Sequence, residues 1–129
     1  MNVPVPCNIT SKYNNMNDLK NRMSLRIAKI ALTNKLASYP LHDGFKIGKT
    51  TQTIEERFAE KYSDDYDSIE KLYDAGTDGE LIDWLEEELI KYCKATFAGE
   101  CDNEQIGGGP KCADNADKDH TAKLYVVIR

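Results

Sequence analysis

No stretch of this 129-residue chain approaches the roughly 20 consecutive apolar residues that a membrane span requires. Its opening residues, Met1 to Tyr13, also lack the apolar stretch of a secretion signal. These two absences predict an intracellular, cytoplasmic protein with no membrane partner. In that reducing setting Cys7, Cys93, Cys101 and Cys112 are expected as thiols. Glycine and proline are scarce, at eight and four residues. With 40% hydrophobic and 30% charged residues, the composition is that of one globular domain and excludes a disordered tail. Such a length buries about two-thirds of the unfolded surface, enough for one core without disulfides or a structural metal. Positive charge is in deficit: 17 Lys and Arg against 22 Asp and Glu leave a formal charge of −5. At face value this counts against a nucleic-acid partner, because phosphate binding needs Lys and Arg to displace counterions.

The total hides a division. Residues 1–58 hold nine Lys/Arg and four Asp/Glu, a net of +5, whereas residues 59–129 hold eight and eighteen, a net of −10. An anionic ligand on one face produces this asymmetry, and so do two separately solvated surfaces.

Residues 1–15 are polar and read as a loosely held arm. Asn17 can cap a helix from Asp18 to about Ala37, and the spacing of Met16, Leu19, Met23, Ile27 and Ile30 predicts its buried face. Arg22, Arg26 and Lys29 share another face, either a phosphate-binding stripe or a plain solvated one. Asp43-Gly44 is a turn signal before a short strand at Phe45–Gly48. Thr53 and Glu56 form a capping box for a helix from Ile54 to about Tyr62. Ile69–Tyr73 reads as a second strand, and Thr77 with Glu80 as the capping box of a helix continuing through Tyr92. Residues 98–121 have no periodicity, which is long for a structureless loop and suggests a functional or metal-pinned segment. Leu124–Ile128 is the best strand in the chain.

Several residues break the pattern around them. On a helical wheel Glu86 falls within the apolar arc of residues 81–97, whereas Asp83, Glu87 and Glu88 fall on the polar side. A carboxylate there either reaches round to water or is paired, usually with a metal ion or an Arg. Arg57 and Lys61 stand at i, i+4, a like-charge spacing that costs about 0.2–0.5 kcal/mol unless an anion sits between them or nearby acids neutralise them. Gly48-Lys49-Thr50 echoes a phosphate-binding loop. The required earlier glycine would fall at Asp43, so the spacing fails. Gly107-Gly108-Gly109 reads as a hinge or close-approach loop. Cys93, Cys101, Cys112 and His120 are ligand types suited to tetrahedral zinc but lack a C-x-x-C knuckle. Both zinc and ordinary thiols beside a surface histidine fit.

The segment Lys46-Ile47-Gly48 through Arg57-Phe58 resembles the second motif of the GIY-YIG nuclease superfamily. It is closest to the phage-Orf-type DNA-binding branch, in which Lys-Ile-Gly replaces Tyr-Ile-Gly and the Arg follows the Gly by nine residues, as Arg57 follows Gly48. Leu85-Glu86-Glu87-Glu88-Leu89-Ile90 is similar to the family segment in which a metal-binding Glu precedes an apolar pair, and it selects Glu86. The first motif is absent upstream, where only Ser38-Tyr39-Pro40 stands, and Lys123–Ile128 resembles it instead. A circularly permuted core follows, with the last strand beside Phe45–Gly48 and Tyr125 at the site.

The resemblance implies an α/β (α+β) fold in one domain, residues 1–129. A small three-stranded mixed or antiparallel sheet would be flanked by helices. The core would span residues 45–95, the added N-terminal helix 17–38, the long loop 98–121, and the strand replacing the first motif 122–129. The implied function is a Mg²⁺-dependent DNA endonuclease with one divalent cation on Glu86. In it Arg57 would stabilise phosphoryl charge, Lys61 and Lys46 would add positive potential, and Tyr125 would help deprotonate the water. Lys49, Arg22, Arg26 and Lys29 would bind DNA, and Asn103 is the candidate for the family's late Asn. The alternatives are a non-catalytic DNA-binding module of the same fold, and an interaction or inhibitor protein using its acidic half.

Overall fold

The apolar run near the end of the chain forms the middle of the sheet. In the computed structural model, which describes residues 5–129 and side chains from Asn17 onward, the elements in order are α1 (Val5–Ala37), β1 (Phe45–Thr50), α2 (Ile54–Lys61), β2 (Ser68–Asp74), α3 (Gly79–Thr96) and β3 (Lys123–Ile128). The first four residues and the side chains of Cys7 and Met16 lie outside the described residues. The fold is α+β, and the sheet is antiparallel throughout, with strand order β1-β3-β2. Central placement explains the composition of β3: Leu124 through Ile128 are all buried, so both faces are apolar and the polar alternation of a one-sided strand is absent.

Alternate residues of β3 serve two cores. Leu124, Val126 and Ile128 join Phe45, Ile47 and Leu72 under α1 and α3, whereas Tyr125 and Val127 pack with Ile54, Phe58 and Tyr62 under α2. The register sets Tyr125 opposite Gly48 on one side and Lys71 on the other. β1 is therefore an edge strand with its last neighbour, β3, arriving from the far end of the chain.

Helix α1 departs from the sequence reading in two ways. It begins at Val5, so Asn17 lies inside the helix and does not cap it. Its buried face is Ser24, Ala28, Leu32 and Leu36, while Leu19, Met23, Ile27 and Ile30 are 51%, 56%, 51% and 53% exposed. The helix carries two apolar stripes, and the one with small residues faces the body. Ser24 and Ala28 admit close packing against α3 and β2, and Ser24 Oγ lies 3.0 Å from the Tyr73 hydroxyl. Helical period identifies stripes but does not rank them. No helix among the described residues is long and apolar enough to cross a membrane.

The capping box of α2 forms as expected, with Thr53 and Glu56 bonded reciprocally. The cap of α3 is Asp78, whose carboxylate accepts from the Leu81 amide at 3.1 Å, and not Thr77. Residues 98–121 hold one 3-10 turn, Cys112–Asp114, and are pinned by hydrogen bonds. Phe45 N–H donates to the Glu100 carbonyl, and Asp102 N–H donates to the Phe45 carbonyl. The Asn103 amide then bonds both the N–H and the C=O of Ile47 at 2.9 Å. This loop thus satisfies the outer edge of β1, where unpaired backbone groups would otherwise invite a foreign strand.

Candidate active site

A cavity of about 420 Å³ opens at the edge of β1, between α2 on one face of the sheet and α3 with the long loop on the other. Lys46, Arg57, Lys61, Glu86 and Tyr125, all singled out in the sequence, line it together with Tyr62, Asn103 and Gly107–Gly109. Strand β3 carries Tyr125 beneath Gly48, and there the glycine is required. A Cβ on Gly48 would meet the Tyr125 hydroxyl oxygen at 2.3 Å and the ring at 2.4 Å. Gly107 to Gly109 all have positive φ, a backbone that side chains disfavour, which explains the triple glycine in the cavity wall.

Arg57 projects from α2 and donates from Nε to the Tyr125 hydroxyl at 3.3 Å. That hydroxyl is 2.7 Å from the hydroxyl of Tyr62. Burial opposes the Arg57 charge, and the bond to Tyr125 together with the charge interactions of Tyr125, Tyr62 and Glu60 outweighs it, so its pKa is raised. Among the described residues no carboxylate lies within salt-bridge distance of Arg57. The guanidinium is anchored by a neutral group and keeps its full charge for an anion.

Tyr125 differs from its expected role. It is 1% exposed, and burial and the neighbouring Tyr62 push its pKa upward. A phenol in that setting keeps its proton at neutral pH, which argues against the base role expected of Tyr125, and its hydroxyl accepts from Arg57 Nε. Tyr62 itself was missed in the sequence, although it continues the Ile54, Phe58 face at i+4.

Glu86, which the wheel put within the apolar arc with both a water-reaching and a paired carboxylate open, is buried on α3, and among the described residues its Oε1 has no hydrogen-bond partner. Burial raises its pKa, and Lys49 only partly offsets that. Lys49 was expected to face DNA. Instead its ammonium is buried, bonded to Asp83 Oδ1 at 2.9 Å and 3.6 Å from Glu86 Oε1. Asp83 was assigned to solvent by the wheel. It is buried because the long loop covers it, and its carboxylate also accepts from the amides of Cys112 and Ala113.

The remaining basic candidates do not join the cavity. Arg22 pairs with Asp18 at 3.0 Å, Arg26 is exposed on α1, and Lys29 lies 4.3 Å over the Tyr92 ring. The zinc set does not assemble either. Cys93 neighbours Cys101, Cys112 sits beside Asp83, and His120 is exposed and bonded to Asp117. Among the described residues no three His, Cys, Asp or Glu side chains converge on one point. Spacings of seven and ten residues across a helix end and a loop set no common vertex.

A hard divalent ion fits what is present. Mg²⁺ takes one carboxylate and completes its shell with water and phosphate oxygens, and Glu86 offers one buried, unbonded oxygen at a polar cavity. No family model, curated protein or solved structure matches the chain.

Proposed function

We propose that the chain is a Mg²⁺-dependent endonuclease that hydrolyses DNA phosphodiester bonds in the cavity at the edge of β1. One observation carries this reading. A guanidinium with no acidic partner among the described residues, and a carboxylate with a buried oxygen that none of them hydrogen-bonds, reach the same cavity from opposite faces of the sheet. A structural ion pair would join them; a phosphodiester with a counter-cation needs them apart.

Glu86 would hold the ion, which when bound supplies Lewis acidity toward the scissile phosphate. Arg57, with Nε fixed on Tyr125, binds the phosphoryl oxygens through its terminal nitrogens and stabilises the charge that grows there. Tyr62 and Tyr125 hold that guanidinium in place. Lys46 and Lys61, lining the same wall, raise the local potential and draw the backbone in. The proton of the attacking water leaves to solvent or phosphate, since Tyr125 keeps its own.

A DNA-binding module without catalysis is the second reading. Lys49, 3.6 Å from Glu86 Oε1, already supplies counter-charge without a metal. Supercoiled plasmid incubated with Mg²⁺ and the unaltered protein, Glu86→Gln or Arg57→Ala separates the two. The endonuclease reading expects nicking that EDTA and both substitutions abolish. Salt-dependent binding with no nicking by any of the three proteins would replace it with the binding module.

A further inference from the structure

Two carboxylates one turn apart on α3, Asp83 and Glu86, share a single lysine, and they share it unequally. Lys49 Nζ is 2.9 Å from Asp83 Oδ1 and 3.6 Å from Glu86 Oε1, and only the first contact is a hydrogen bond. Asp83 accepts two further bonds, from Cys112 N–H at 2.8 Å and Ala113 N–H at 3.0 Å. Glu86 Oε1 accepts none from the described residues. Nothing intrinsic to Lys49 favours Asp83 over Glu86, since an ammonium has three donors and both acceptors are within its reach. What differs is the backbone: the Cys112–Ala113 turn fixes the Asp83 carboxylate, and Gly79 lets that turn press onto the start of α3. A Cβ on Gly79 would meet the Cys112 carbonyl oxygen at 2.2 Å. The long loop therefore sets where the lysine goes.

We propose that Asp83 is a positioning residue: held by the Cys112–Ala113 turn, it draws the Lys49 hydrogen bond to its own Oδ1, so that Glu86 Oε1 keeps only a looser 3.6 Å ion pair with Lys49 and can exchange it for a divalent cation. The inference rests on the metal reading of Glu86 given above. It makes the loop a condition of metal binding. When the turn lifts from α3, Asp83 loses two donors, Lys49 is released toward Glu86, and the existing 3.6 Å ion pair tightens to a hydrogen-bonded one that excludes the cation.

Mn²⁺ alone is the probe, titrated by water-proton relaxation into the unaltered chain and into Glu86→Gln, Asp83→Asn, Lys49→Met and Asp83→Asn/Lys49→Met. Amide exchange at Cys112 and Ala113 is followed in parallel. The unaltered chain is expected to bind one Mn²⁺ that Glu86→Gln abolishes. Asp83→Asn is expected to weaken binding at least tenfold and to deprotect both amides. Adding Lys49→Met should restore affinity to within threefold while the amides stay deprotected. A purely structural clamp would show no such rescue. Unchanged Mn²⁺ affinity in Asp83→Asn, or no rescue in the folded double variant, overturns this inference and leaves the metal reading standing. Absence of any Glu86-dependent Mn²⁺ site overturns both. Should Asp83→Asn fail to fold, Lys49→Met decides alone: affinity equal to or above that of the unaltered chain supports the proposal, and a tenfold loss refutes it.

Discussion

Replacing Gly48 with alanine adds one methyl group at the point where β1 crosses Tyr125. The new Cβ would stand 2.3 Å from the hydroxyl oxygen, 2.4 Å from Cζ and 2.6 Å from Cε1 of a ring that is 1% exposed. These contacts are all closer than a carbon tolerates, so the ring, packed with Tyr62 and Val127 under α2, must move. Overpacking of this kind costs about 1–3 kcal/mol. Moving the hydroxyl also breaks its 2.7 Å bond to Tyr62, and a buried hydroxyl left unpaired adds about 1–3 kcal/mol. The expected loss is about 2–6 kcal/mol, a large share of the about 5–15 kcal/mol that a small domain has. Urea denaturation followed by far-UV circular dichroism reads this directly. The same substitution in a Tyr125→Leu background should cost less by more than about 1 kcal/mol, because the clashing atoms are gone. A loss below about 0.5 kcal/mol for Gly48→Ala, or no coupling to Tyr125, would refute the close crossing on which the placement of Arg57 depends.

Other consequences are open to the same methods. Ile27→Lys on the exposed stripe of α1 should change stability by less than about 0.5 kcal/mol, whereas Leu32→Ala on its buried face should cost about 2–5 kcal/mol; the reverse order would invert the helix. Asn103→Ala removes both bonds to Ile47 and should cost about 2 kcal/mol or more, with faster exchange of the Ile47 amide; unchanged exchange would show that the loop does not seal β1. Asp102 is held below the usual carboxylate range by its bonds to Arg129, so its pKa is lower folded than unfolded. Its contribution is complete above the unfolded value, near pH 4, and fades as pH falls through the folded one. Asp102→Asn should therefore flatten the acid limb of the stability curve below about pH 5; an unchanged limb would mean that Arg129 contributes nothing there.

Local signals in the sequence reached far into the site, and long-range ones did not. Gly48 and Arg57 are fixed by a strand, a capping box and a nine-residue interval, all within one supersecondary unit. Glu86 was marked by a wheel that needs only its own helix. The apolar run Leu124–Ile128 marked the best strand in the chain, and its pairing with β1 brings Tyr125 to Arg57 from 68 positions away. By contrast, Asp83 looks solvated on the wheel and is buried only because residues 112 and 113 fold over it. Lys49 was read as a surface cation for the same reason: its two carboxylate partners lie 34 and 37 positions along the chain. In α1 the larger apolar residues suggested the buried face, but close packing on β2 selected Ser24 and Ala28. Net charge misled in a similar way. Asp83 is internal and Asp102 pairs with Arg129 at the rim, so the acidic excess of the second half is not carried over to the cavity wall, where Lys46, Lys49, Arg57 and Lys61 stand with Glu86, Asp102 and Glu104.

The central claim, that the cavity at the edge of β1 receives the DNA backbone, is tested most directly by NMR. A short DNA duplex is titrated into ¹⁵N-labelled protein with Ca²⁺ as a non-cleaving ion. The account predicts shifts in the amides of Lys46 to Lys49 and Gly107 to Gly109 and in the Arg57 Nε–H, with those of α1 unmoved. Shifts confined to Arg22, Arg26 and Lys29, or none at all at millimolar duplex, would contradict it.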